Sequence, residues 1–306
     1  MASTPFFSII IPTYNRDKFL PYAIQDVLSQ TFADWELIVV DDGSTDDTKA
    51  VVENFQTDSR IRYHWQPNQE LNAARNAGIF LARGQYLLFL DDDDSFEADH
   101  LQVLHTYLVT EAASTLLVRT GMWVKQGKQR QASSFLDLQQ YHPVQQLWLR
   151  PTNLLSFAFH HSIFEQHHFA EDLVLGDDFH FLIKVLLDFP LVQLEEFTVT
   201  YFQHPQNRTR QYFSPEKAAS KFAALEALEI ECGERLEEHI PNAWIKKWKG
   251  EQHLHFARTA FRARAVSWGW RYFRQALPYF PQLRLYEIFK TFGMGLLAIF
   301  SSKETP

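Results

Sequence analysis

Over the first hundred residues, short apolar runs alternate with helix-patterned stretches. Phe7-Ser-Ile-Ile-Ile-Pro12 is one run, Trp35-Glu-Leu-Ile-Val-Val40 a second, Ile61 to Trp65 a third and Gln85 to Leu90 a fourth. Helical patterns lie between them at Asp17 to Gln30, Asp46 to Phe55 and Leu71 to Ala82. Parallel strands need crossovers of a dozen residues or so, and strands covered on both faces read as unbroken apolar runs. The alternation therefore predicts an α/β fold with a mostly parallel sheet flanked by helices. Ligands in such sheets bind beyond the carboxyl ends of the strands. Polar residues fall there: Thr13-Tyr14-Asn15 after the first run, Asp41-Asp42-Gly43-Ser44 after the second, Asp91 to Asp94 after the fourth.

The pattern loosens past residue 115. A strand is expected at Thr115 to Thr120, a hairpin or loop over the Gln-rich residues 121–150, a helix at Asp177 to Phe189 and a strand at Glu196 to Gln203. From Ser214 the chain reads as helical, broken near Pro241, Gly269 and Pro281. The expected organisation is a catalytic domain over 1–212, with halves 1–115 and 116–212, and a helical region over 213–306. Composition adds little except in its distribution. Residues 1–240 carry a balance of −16 and residues 241–306 one of +8. An acidic main body repels phosphate backbones, so nucleic acid is not the expected partner. The single cysteine, Cys232, excludes an internal disulfide. No apolar run nears the roughly 18 residues of a spanning helix. Pro12 ends the first run and no basic stretch precedes it, so no signal peptide is expected.

The run Asp91-Asp92-Asp93-Asp94 carries the most chemistry. Adjacent carboxylates repel, and a cation relieves them. Hard divalent ions that bridge phosphates take oxygen ligands, with one or two carboxylates from the protein. A solvated turn capping the next helix is the plainer alternative. In Asp41 to Thr48, capping explains Ser44, Thr45 or Asp46, but not Asp41 and Asp42, where a carboxylate can accept from a nucleobase N–H. Asn72-Ala-Ala-Arg75-Asn76-Ala-Gly78 reads as a helix start whose small residues allow close packing on the sheet. Its Arg75 can meet carboxylates or a diphosphate, or make an ordinary surface ion pair. Asp177-Asp178 opens a helix, either as dipole-matched acids or as a base held near a substrate hydroxyl. His204 and Asn207 follow a strand and can face a ligand.

In this order and spacing the motifs resemble the inverting family 2 glycosyltransferases, which use nucleotide-sugar donors on a Rossmann-like GT-A fold. The matching segments are Ser8 to Asn15, Val40 to Asp46, Asn72 to Gly78, Phe89 to Asp94, and Phe169-Ala-Glu-Asp-Leu173 leading into Asp177-Asp178. The resemblance implies that Thr13 and Asp42 hold the base, with Arg75 near the nucleotide and Asp91 and Asp92 by the ribose; Pro12 and Tyr14, beside Thr13, are expected in the same nucleotide-sugar site. It implies Mn²⁺ or Mg²⁺ on Asp93 and Asp178 as the base that deprotonates the acceptor. His204, from its place after a strand, is expected as a second metal ligand, the plainer alternative being a structural histidine. Here Asp177 replaces the usual Glu, Ala170 stands where Asp is usual, and Glu70 where Gly is frequent. A UDP-sugar is the first donor to expect, with a glycan or lipid-linked acceptor in bacterial surface polysaccharide synthesis. That role implies a cytoplasmic enzyme, peripheral on the inner face of the membrane.

Rival readings are a haloacid-dehalogenase-like phosphatase, similar only at Asp91-x-Asp93, a nucleotidyltransferase of related fold, and a non-catalytic scaffold. No Gly-x-Ser-x-Gly elbow is present and Cys232 lies outside the motifs. In the basic tail, Ala257, Phe261, Ala265, Trp268 and Tyr272 form an apolar stripe flanked by arginines. It is expected to meet an anionic membrane surface. Otherwise it packs on the catalytic domain or on a second copy in a homodimer, a reading that a break at Gly269 would favour.

Overall fold

The computed structural model describes residues 4–111, 116–204, 207 and 214–301. Two compact units divide the chain, residues 1–207 and 208–306. The boundary expected at 212/213 lies outside the described residues.

In the first unit, β1 (Phe7–Thr13), β2 (Trp35–Asp41), β3 (Ile61–Trp65) and β4 (Tyr86–Phe89) occupy the four apolar runs and pair in parallel, in the order β3-β2-β1-β4. Their crossovers are α1 (Leu20–Leu28), α2 (Thr48–Phe55) and α3 (Glu70–Leu81). Every residue of β1 and β2 is buried, which is why those runs read as continuous. Ile9 and Ile11 of β1 pack with Leu20, Ile24 and Val27 of α1. Burying such a side chain fully contributes about 1.5–3 kcal/mol. Ile10 faces α3, where a Cβ on Gly78 would lie 2.4 Å from its Cγ2. Gly78→Ala should therefore destabilise the unit by about 1–3 kcal/mol through overpacking, read as a lower midpoint in urea. An unchanged midpoint would show that α3 does not sit this close to the sheet.

Beyond β4 the sheet becomes mixed. The later elements are β5 (Ser95–Phe96), α4 (His100–Glu111), β6 (Leu117–Gln126), β7 (Gln129–Ala132), α5 (Pro143–Leu149), β8 (Phe157–His160), α6 (Asp177–Asp188) and β9 (Leu191–Phe202). The order continues β4-β8-β6-β9-β5, with β7 on β6. β8 is antiparallel to both β4 and β6, β9 is parallel to β6, and β5 is antiparallel to β9. Thr115 lies outside the described residues, and the strand that follows it runs on to Gln126. The hairpin expected after it is β6-β7, but α5 occupies part of the stretch read as hairpin or loop. The sequence pattern did not reveal α4 or β8.

The second unit holds α7 (Pro215–His239), α8 (Asn242–Arg262), α9 (Val266–Ala276), a 3-10 stretch at Leu277–Gln282 and α10 (Leu285–Ser301). Breaks fall near Pro241 and Pro281 as expected. The break expected at Gly269 does not occur. Gly269 lies inside α9, and the chain turns instead at 263–265, where Arg264 has φ +59°. A Cβ on Gly269 would lie 2.2 Å from the Phe261 ring, so the glycine lets α9 lie directly on α8. The stripe expected to face a membrane or a partner is consumed here: Ala257, Phe261 and Tyr272 are buried with Leu254, Phe273 and Ile288 in the core of this unit. Among the described residues of this unit, most of the large apolar side chains left exposed are on α10: Leu285, Tyr286, Phe289, Phe292, Leu296 and Leu297; Ile230 on α7 and Leu277 are the others.

Candidate active site

The carboxyl ends of β1, β2 and β4 bring the predicted residues together. Asp91–Asp94 leave β4 in a tight turn, with Asp94 N donating to Asp91 O at 3.0 Å, and the four side chains take different surroundings. Asp92 is buried and accepts the Thr13 hydroxyl at 2.8 Å. Burial pushes its carboxyl up to about 8, although Arg16 at 3.8 Å and the Thr13 bond oppose this. Asp94 is buried too, and accepts from the backbone N–H of Phe202 at the end of β9 at 3.0 Å. Burial and repulsion from Asp91 and Asp93 hold it well above the usual carboxylate range.

Asp93 has the neighbours of a ligand site. His204 Nε2 lies 3.1 Å from its Oδ2, the Asn207 amide 3.5 Å and an Arg16 nitrogen 3.8 Å. Burial and the Asp91 charge raise its carboxyl, while Arg16 and His204 lower it. Phe19 stacks on the His204 ring at 5.5 Å and lies beneath the Arg16 guanidinium at 5.2 Å. No group of three or more metal-ligating side chains occurs among the described residues. Two donors, one oxygen and one imidazole, suit a phosphate-bridging ion that keeps waters or substrate oxygens as its remaining ligands.

Arg75 is not a surface residue. It is 2% exposed, and its two terminal nitrogens reach Asp178 at 2.8 Å, Asp177 at 3.0 Å and Asp91 at 3.4 Å. One guanidinium thus serves three carboxylates. Burial and the neighbouring Asp177 and Asp91 charges outweigh the attraction of Arg75 and push Asp178 up to about 7. Of the pair, Asp177 is the more enclosed, with a side chain 10% exposed against 25% for Asp178.

Two asparagines on α3 hold this arrangement, and sequence reasoning assigned them no such task. The Asn72 amide donates to the carbonyls of Ala170 and Leu173 at 2.8 and 2.9 Å. Asn76 exchanges bonds with the Phe169 backbone at 3.0 and 3.1 Å. Together they dock the 169–173 segment on α3, and four residues later Asp177 and Asp178 meet Arg75. Glu70, where the resembled family often has glycine, has φ +74°, a left-handed backbone that costs a residue with a side chain about 1–2 kcal/mol.

On the β1 and β2 side, Asp42 is buried and its Oδ1 accepts from the Gln66 amide at 2.8 Å and Gln69 N at 2.9 Å. Asp41 accepts from the Tyr63 hydroxyl at 2.6 Å and Ser44 N at 2.8 Å. Asp46 Oδ1 accepts from the backbone N–H and hydroxyl of Thr48 at the start of α2, but the N-cap position is Asp47, without a side-chain cap bond, and not Ser44, Thr45 or Asp46 as expected. Pro12 is buried within β1 opposite Val40. Tyr14, one residue past the end of β1, is 49% exposed. Arg16 was missed as well; its only sequence signal was a cation three residues past the first strand end.

The first unit is thus a mixed α/β sheet with an acidic turn after its central strand β4 and a helix-borne carboxylate pair on Arg75. The fold is that of S. aureus TarS 1-349, solved in complex with UDP-GlcNAc, at TM-score 0.64 and 17% identity over 90% of this chain and 91% of that one. The mannosyltransferase PcManGT from Pyrobaculum calidifontis, solved with GDP-Man and Mn²⁺, superposes at TM-score 0.55 and 16% identity over 99% and 87%. The description of glycosyl transferase family 2 matches residues 8–171, more than half of the 306. The chain belongs to that family. Its relatives include the Campylobacter jejuni GalNAc(5)-diNAcBac-PP-undecaprenol β-1,3-glucosyltransferase, 45% identical over 103 residues, which are 33% of each chain. The glycosyltransferase EpsJ of Bacillus subtilis is 29% identical over 231 residues, 69% of this chain and 65% of that one. A Rickettsia felis glycosyltransferase is matched over only 16% of its length.

Proposed function

We propose that the chain is a metal-dependent inverting transferase that moves a sugar from a nucleoside-diphosphate donor, first a UDP-sugar, to a hydroxyl of a glycan or lipid-linked acceptor in bacterial surface polysaccharide synthesis. The observation that carries this reading is the separation of the carboxylates. Asp93 has His204 and Arg16 as its partners, whereas Asp178 is bonded to Arg75. In this reading Asp42 accepts from the nucleobase, with Pro12, Thr13 and Tyr14 beside it, and Asp91 and Asp92 lie by the ribose. Asp93 and His204 would hold a Mg²⁺ or Mn²⁺, which supplies charge stabilisation to the leaving diphosphate. Asp178 takes the acceptor proton as the hydroxyl attacks the anomeric carbon and inverts it. The UDP-GlcNAc and GDP-Man bound by the structural neighbours support the donor class. Asp93→Ala should lower UDP affinity in the presence of Mn²⁺ by at least tenfold and leave the circular dichroism spectrum unchanged. Full metal-dependent affinity in the variant would remove Asp93 from the ligand set.

Membrane contact is placed on α10 in this reading. Leu285, Phe289, Phe292 and Leu296 recur at spacings of four, three and four on one exposed face, beside exposed Arg284 and Lys290. An apolar face flanked by cations fits an anionic lipid surface. Among the described residues no helix is long and apolar enough to cross a membrane. Phe289→Asp with Leu297→Asp should cut co-sedimentation with anionic liposomes roughly tenfold or more, from lost apolar burial. If the pair instead converts a dimer to monomers, the face is a subunit interface.

A further inference from the structure

The helical unit contains a cavity of about 700 Å³ between α7, α8, α9 and the 3-10 stretch, within the range of small-ligand sites. Ring faces line it. Phe222, His253 and Tyr279 form a stacked series, Phe222 to His253 at 4.2 Å and 22°, His253 to Tyr279 at 5.9 Å and 18°. Trp268 and Tyr272 stack at 5.9 Å and 27°, and Tyr272 lies 6.4 Å from the His253 ring. At the rim stand Glu226, Gln275 and Arg271, all exposed, with the Arg271 guanidinium 4.8 Å over the Trp268 ring.

This lining discriminates among ligand classes. Glu216 and Glu226 at the cavity disfavour an anion, and Lys249 is bonded to Glu229 at 2.7 Å. Burial and Lys249 depress His253 to about 4, so it adds no positive charge at neutral pH. An acyl chain would leave the polar groups of Glu226, Gln275 and Arg271 at the rim with nothing to bind. A neutral polyhydroxylated ring satisfies both parts: its C–H faces lie on aromatic planes, and its hydroxyls meet carboxylate, amide and guanidinium. We propose that this cavity is a second carbohydrate-binding site, taking an uncharged oligosaccharide, separate from the donor site. On the reading of the chain as a glycan-extending transferase, such a site raises the effective concentration of the acceptor chain. The binding claim itself does not need that reading.

The test is saturation-transfer NMR on the full chain with three tetrasaccharides: chitotetraose, cellotetraose and maltotetraose. At least one should bind. Trp268→Ala and Tyr279→Ala should each weaken it tenfold or more, and Gln275→Ala severalfold, with helical circular dichroism retained. Asp93→Ala should bind the same sugar as the parent chain does, which separates this site from the donor site. Should Trp268→Ala lose its helical signal, Gln275→Ala, changed at an exposed rim position, decides alone. Binding by none of the three sugars, binding lost in Asp93→Ala, or binding unaffected by Gln275→Ala and both aromatic substitutions would overturn the proposal.

Discussion

Arg75→Met is expected to destabilise the first unit by about 3–5 kcal/mol and to abolish glycosyl transfer. Removing one partner of a buried ion pair leaves uncompensated charge, and losses of this size follow. Here the loss reaches three carboxylates together, since Asp91, Asp177 and Asp178 all lie within 3.4 Å of the one guanidinium. The side chain also contributes packing, lying 5.2 Å over the Phe169 ring. Arg75→Lys keeps the charge but not the planar fork that spans separate acceptors, and should fall between the two. Urea unfolding followed by tryptophan fluorescence measures both. A methionine variant as stable as the parent would mean that the acids are solvated and that Arg75 does not organise them.

Asp178→Asn should keep donor affinity and lower kcat by roughly a thousandfold, within the usual worth of a positioned base. Asp177→Asn should cost much less, because Asp177 is the more enclosed of the two. Full activity in Asp178→Asn with a dead Asp177→Asn would reverse the neighbours. The pH dependence gives an independent check. The base works deprotonated, and burial places Asp178 at about 7. So kcat/KM should climb tenfold per pH unit below about 7 and level above it. Replacing Asp177 by Asn deletes a repelling charge, so this limb should move toward lower pH. A limb that stays in place would show that Asp177 and Asp178 are not coupled.

The parallel half of the sheet was readable because its signals are local. Phe7 to Pro12 and Trp35 to Val40 are buried on both faces, and burial on both faces writes itself as an apolar run. The acidic turn was readable for a similar reason, since four carboxylates after a buried strand need an explanation wherever they occur. β8 is different. Phe157–His160 is four residues long and is defined by its pairing with β4 and β6, so its own pattern is too short to announce it. β9 starts at Leu191, earlier than the Glu196 expected, because Gln193, Glu195 and Glu196 interrupt its apolar character. Asn72 and Asn76 looked like helix-start residues because their partners lie 93 to 101 positions away. Gly269 misled in the opposite sense: a breaker by composition, it serves a contact with Phe261 that only the folded unit contains.

The pairing of β5 with β9 has a consequence for synthesis. Ser95 and Phe96 lie against Thr200 and Val199, and Asp94 is fixed by the backbone of Phe202. The acidic turn is thus anchored by a strand completed about a hundred residues later. At about 5–20 residues per second, a ribosome exposes the four aspartates on the order of ten seconds before their anchor exists. Ribosome-bound chains that stop short of residue 202 should therefore hold the parallel strands and still lack the ordered turn, so that competence for a donor arrives with the last strand of the unit.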